Sequence, residues 1–155
     1  MLRRRAFLPL VLAVAAAAHA GTRPDEARRL LDEGERLWSA GVYGPARTTL
    51  QQAGDLARQQ GDDALAARAV NLLANVADSR GEWESALQGH QQALSLARSL
   101  GDLRLEARIL ADTGVGHWRR ADYAEAESLC REALALWEAE QDRAGQGEAL
   151  TCLGR

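Results

Sequence analysis

Residues 66–105 read AARAVNLLANVADSRGEWESALQGHQQALSLARSLGDLRL, and the stretches on either side are versions of the same block. Residues 26–65 read EARRLLDEGERLWSAGVYGPARTTLQQAGDLARQQGDDAL, residues 106–145 read EARILADTGVGHWRRADYAEAESLCREALALWEAEQDRAG, and QGEALTCLGR at 146–155 opens a fourth copy. The copies begin at Glu26, Ala66, Glu106 and Gln146, a period of 40 residues. Self-similarity at such a period predicts a stack of repeated units, none of which buries its apolar face alone. The fold class that follows is all-α: a right-handed solenoid of antiparallel helix pairs, with three pairs and one added helix and no strand.

Each copy splits into two helical stripes. Leu30, Gly34 and Leu37 recur at i, i+4 and i+7, and Ala46, Leu50, Ala53 and Leu56 follow after a break at Gly41–Gly44. The same columns return as Val70, Ala74 and Ala77 with Ala86, Ala93 and Leu96, and as Leu110 and Gly114 with Ala126, Ala133 and Leu136. Pro45 falls in the first turn of a second helix, where its missing N–H is harmless. The pairs Gly61-Asp62 and Gly101-Asp102 stop one unit and start the next, Gly as the left-handed residue and Asp as the cap; Gln141-Asp142 takes that place in the third unit. Gly34, Ala74 and Gly114 precede Ala46, Ala86 and Ala126 by one fixed interval, which predicts a close crossing of the two helices of each unit. Tyr43, Trp83 and Tyr123 form an aromatic column expected to wedge each turn against the preceding helix as part of the core.

Composition agrees with a folded, soluble unit: 155 residues, 46% apolar and 26% charged. The 19 basic residues are all Arg. Residues 1–20 read as a secretory signal peptide, with Arg3–Arg5 as the charged region, Ala6–Ala18 as the apolar run and Ala18-His19-Ala20 as the cleavage signal before Gly21. The run is too short for a membrane span, which needs roughly 20 residues. The expected product is an exported protein, periplasmic or extracellular, by the Sec or the twin-arginine route, with residues 21–25 as a short linker. Cleavage leaves 16 basic against 22 acidic groups, a formal charge of −6. That balance, with no Arg cluster, argues against nucleic acid and against anionic membrane as partners.

The small–aromatic–Ala–Ala pattern of each unit resembles the tetratricopeptide repeat, in the 40-residue variety of kinesin light chains and of LGN-type and MalT-type regulators. ALQGHQQALSLARSLGD at 86–102 and YAEAESLCREALALWE at 123–138 carry the likeness most clearly, and it extends over residues 26–155. Departures are Ala121, where Gly41 and Gly81 stand, and the polar Glu33 and Thr113, where Leu73 and Leu153 are apolar. The resemblance implies that the first helices of successive units line a concave groove. The stripe beside the core stripe would then supply Arg28, Leu31, Glu35 and Trp38, then Arg68, Asn71, Asn75 and Asp78, then Arg108, Ala111, Val115 and Trp118. The residues expected to bind a partner are Arg28, Trp38, Arg68, Asn71, Asn75, Arg108 and Trp118. Asn71 and Asn75 would bond the backbone of an extended peptide and the Arg row would meet a carboxylate. Arg28 with Asp32, and Arg108 with Asp112, are alternatively i, i+4 pairs on a solvated face.

Catalytic chemistry has little to build on. His90 and Cys130 share the packing column of Leu50, His117 shares that of Leu37 and Ala77, and no spacing matches a zinc site. Neither a nucleophile elbow nor a phosphate or dinucleotide loop is present, so no catalytic, metal or cofactor-binding residue is assigned. Whether Cys130 and Cys152 join is left open at this level. Three functions remain: a scaffold binding a peptide or protein partner in the groove, the sensor or targeting region of a larger protein such as a CHAT-type protease or a membrane signalling protein, and a structural element self-associating through an uncapped last helix. The fourth unit stops within its first helix, which suits a chain that continues beyond Arg155.

Overall fold

The computed structural model describes residues 25–154, which form α1 (Glu26–Ser39), α2 (Tyr43–Gln60), α3 (Asp63–Ser79), α4 (Trp83–Leu100), α5 (Leu103–Arg119), α6 (Tyr123–Ala139) and α7 (Arg143–Leu153). No strand occurs among the described residues. The signal segment and most of the linker lie outside them. Consecutive helices pack as hairpins, and the first helices of successive units, α1, α3, α5 and α7, also pack side by side. This is the all-α repeat stack expected from the period.

The turns explain why each helix stops where it does. Gly61 and Gly101 adopt φ of 72° and 65°, and the N–H groups of Gly61 and Asp62 donate back to the carbonyls of Arg58 and Ala57. Asp62, Asp102 and Asp142 then accept from the N–H of Leu65, Leu105 and Gly145 at 2.9, 2.9 and 3.0 Å, capping α3, α5 and α7. Ala121 (φ 65°) and Gln141 (φ 55°) hold the same left-handed geometry without being Gly. A side chain in that region costs about 1–2 kcal/mol.

Within a unit the helices touch through small residues. A Cβ on Gly34 would stand 2.5 Å from Leu50 Cγ, one on Gly89 would stand 2.9 Å from Ala74 Cβ, and one on Gly114 would stand 2.7 Å from Cys130 Sγ and 3.2 Å from the Ala126 carbonyl. Ala46, Ala86 and Ala126 are buried beside these crossings. Between units the core is mostly Ala, with Leu31, Leu50, Val76, Ile109 and Leu110 as the large sealed side chains. Trp137 is buried against Gly145, where any Cβ would collide with the indole. Cys130 and Cys152 are joined in a disulfide, with Cα atoms 6.0 Å apart, that ties α7 to α6.

Two expectations are corrected here. Of the aromatic column only Tyr43 packs against the core, half-buried, while Trp83 and Tyr123 are 37% and 61% exposed. Leu31 and Asp78, expected on the groove-facing stripe, are buried and line neither groove hollow, because each first helix is flanked by its own second helix and by the first helices of neighbouring units.

Two outcomes follow for stability. Ala121→Gly and Gln141→Gly should each raise it, by up to about 1 kcal/mol, as relief of left-handed strain outweighs the extra chain entropy of Gly; urea unfolding reads this, and lower midpoints for both would refute the strain. Reducing the disulfide opens a loop of 22 residues and should lower stability by about 3 kcal/mol, with amide exchange accelerated first in α7.

Candidate functional site

The first helices supply a shallow hollow lined by Glu35 and Trp38 of α1, Arg68, Asn71, Leu72 and Asn75 of α3, and Leu105, Arg108 and Asp112 of α5. It holds about 90 Å³, well below the few hundred of a cofactor pocket. That volume suits one side chain of a bound segment. A second hollow continues from it, sharing Arg108 and Asp112 and adding Ala111, Val115, Glu148 and Thr151. The two make one groove across successive units.

The floor of this groove is a hydrogen-bonded chain. Asp112 Oδ2 accepts from Asn71 Nδ2 at 2.5 Å and from Asn75 Nδ2 at 3.0 Å. A carboxylate only accepts, so Asn71 must turn its amide nitrogen to Asp112 and its Oδ1 away. That Oδ1 meets His90 Nδ1 at 2.9 Å, and His90 Nε2 lies 3.3 Å from Asp78 Oδ2. Asn71, Asn75, Asp78 and His90 are all at least nine-tenths buried. Buried polar groups survive only when paired, and here α3, α4 and α5 pair them with one another. Gly116 of α5 makes room for Asp78: a Cβ there would collide with Oδ2 and stand 3.2 Å from Cγ.

The walls carry ion pairs between units. Arg68 reaches Glu35 at 3.8 Å and Arg108 reaches Glu148 at 2.9 Å. Arg108 thus pairs with Glu148 and not with Asp112 four residues on. The partners come from adjacent first helices, whose side-by-side packing a single helix cannot show. The Glu148 carboxyl is pushed above its ordinary range by burial and then by the neighbouring Asp112, Asp142 and Glu35 carboxylates, against the pull of Arg108. Trp38 Nε1 donates to Ser79 Oγ at 2.9 Å, which fixes the ring at the groove's edge.

Of the residues expected to bind a partner, the structure gathers Trp38, Arg68, Asn71, Asn75 and Arg108. Arg28 is exposed and lines neither hollow. Trp118 lines a separate hollow with Tyr123, Ala126, Glu127, Arg131, Cys152 and Leu153, because its neighbouring first helix is α7. The amides of Asn71 and Asn75, expected to reach for a peptide backbone, are held by Asp112. In the sequence Asp112 offers itself only as an i, i+4 partner of Arg108. Its column holds Asp32, Leu72 and Cys152, so the repeat offered no signal that this one position anchors the groove.

Among the described residues no group of His, Cys, Asp or Glu is arranged to hold a metal ion, and no helix is long and apolar enough to cross a membrane. The family model described as Tetratricopeptide repeat matches residues 65–139. The crystal structure of PcrH in complex with the chaperone binding region of PopB is similar to the chain, with 25% identity and a TM-score of 0.58 over 86% of this chain and 98% of that one. No curated protein matches it. Residues 65–139 are thus tetratricopeptide repeats, and the helix pairs on either side continue the same stack.

Gly116→Ala gives a sharp test of the buried network. In an ordinary helix the change stabilises by about 1 kcal/mol, whereas here it should destabilise by about 1–3 kcal/mol through the collision with Asp78. Urea unfolding of the variant reads the sign directly.

Proposed function

We propose that the chain is an exported interaction scaffold that binds an extended peptide or protein segment along α1, α3 and α5. The observation that carries this reading is the groove itself, continuous from Trp38 to Glu148 and built from successive units. PcrH, which shares the fold, is seen with a segment of another protein. The polar groups of the groove are engaged with one another, an arrangement that suits recognition rather than turnover. Export is supported by the Arg3–Arg5, Ala6–Ala18 and Ala18-His19-Ala20 succession and by the Cys130–Cys152 disulfide, a bond kept mainly in oxidising compartments.

A second reading, self-association, has its own observation. Tyr123 and Leu150 are 61% and 58% exposed near the end of the stack, and Tyr123 lines the open hollow beside α7. In that case Leu150→Arg should abolish a concentration-dependent dimer in sedimentation.

Titration of peptides into isotope-labelled protein tests the first reading. Binding should shift the Trp38 indole and the Asn75 side-chain amide, and Trp38→Ala should weaken it by about 1–3 kcal/mol. A partner whose affinity ignores Trp38→Ala and Arg68→Ala but is lost in Leu150→Arg would move the contact to the end of the stack. For export, the mature amino terminus should be Gly21. Recovery of the chain only from the cytoplasm of its host, with Met1 intact, would sink that part.

A further inference from the structure

The charges of the groove favour the opposite ligand from the one an Arg row suggests. Arg68 and Arg108 are engaged by Glu35 and Glu148 of neighbouring units, whereas Asp112 makes no ion pair among the described residues. The groove therefore carries three carboxylates, Glu35, Asp112 and Glu148, against two guanidinium groups, a formal charge of −1.

Asp112 is also built to receive a donor. Both Asn amides bond the same oxygen, Oδ2. The other, Oδ1, takes no bond from the chain and is not sealed away, since the only fully buried and unpartnered side-chain polar atom among the described residues is His117 Nδ1. The carboxylate is held rigid by α3, so little ordering remains to be done when a cation arrives. Asp112 lines both hollows and so sits at the middle of the groove. Trp38 faces the inner one with its ring fixed through Ser79, a surface on which the stem or the head of a basic side chain packs.

We infer that Asp112 is the specificity residue of the groove and that the bound segment places a Lys or Arg side chain against it, in the hollow beside Trp38. The inference rests on the peptide-binding reading above and names the chemistry of its ligand. The upward push on Glu148 from Asp112 and Glu35 points the same way, because a cation in the groove relieves the crowding of those carboxylates. Binding should accordingly strengthen as pH rises through the carboxylate range and weaken with added salt.

The experiment uses the full mature chain and short extended peptides of Ala, Ser and Thr that differ only in a central Arg, Lys, Gln or Glu. Affinities are read from the shifts of the Trp38 indole and the Asn71 and Asn75 amides. Arg and Lys peptides should bind about tenfold more tightly than Gln, corresponding to one charge-assisted hydrogen bond, with Glu weakest. Asp112→Asn, which keeps an oxygen for the Asn amides, should abolish the preference, so that the Arg and Lys peptides bind no more tightly than the Gln peptide. Arg108→Gln, an exposed change that leaves the Asn pair untouched, should tighten the Arg and Lys peptides a few-fold by freeing Glu148. Peptides that bind in the groove without regard to charge, or a preference that survives in Asp112→Asn, overturn the assignment of Asp112 and leave the groove standing. Absence of any shift at Trp38 and Asn75 with every peptide overturns the groove and the assignment together.

Discussion

Everything in this stack hangs on how closely two helices of one unit approach. At Gly34 and Gly114 the first helix presents a hydrogen to its partner and Leu50 and Cys130 fill the space so released, while at Ala74 the methyl meets Gly89. A core of mostly Ala can exclude water only at that separation, since the residues filling it are short. The close crossing also fixes where the next unit begins. It thereby sets the side-by-side packing of first helices from which the groove is made.

The facing column shows how one scaffold position serves different ends. Leu50 is a plain packing residue, His90 is the centre of a buried polar chain, and Cys130 is half of a disulfide. Each occurs where its neighbours allow it. His90 is satisfied only because Asn71 and Asp78 face it from α3, and Asp78 fits only because Gly116 has no side chain. Cys130 is bridged only because α7 brings Cys152 alongside. The middle of the stack is thus made specific by polar pairing and its end by a covalent tie, while the first unit relies on apolar contact.

That arrangement has consequences for recognition. The polar chain reaches the surface at Asp112, so a residue that looks like part of an ordinary helix face becomes the anchored centre of the groove. The guanidinium groups that draw the eye in the sequence are spent on carboxylates of neighbouring units. At 36–46% side-chain exposure such pairs add little stability, yet they decide which charge is left over for a ligand.

The number of helices, their breaks and the small-residue crossing were all legible in the sequence, because each depends on a local demand that recurs with the period. Gly61 and Gly101 had to be left-handed, Asp62 and Asp102 had to cap, and Gly34 and Gly114 had to be small, whatever lay further off. Ala121 and Gln141 could be recognised as the same turn only by their place in the repeat. The groove was not legible in this way. Its contacts join Glu35 to Arg68, Asn71 to Asp112 and Arg108 to Glu148, each pair on different helices. A period of 40 residues says that such helices are neighbours, but it leaves open the rotation of each about its axis, and a small rotation moves Leu31 or Asp78 from surface to core. That angle is set by the summed packing of the flanking helices, so only the tertiary structure could decide which side chains meet and which carboxylate remains unpaired.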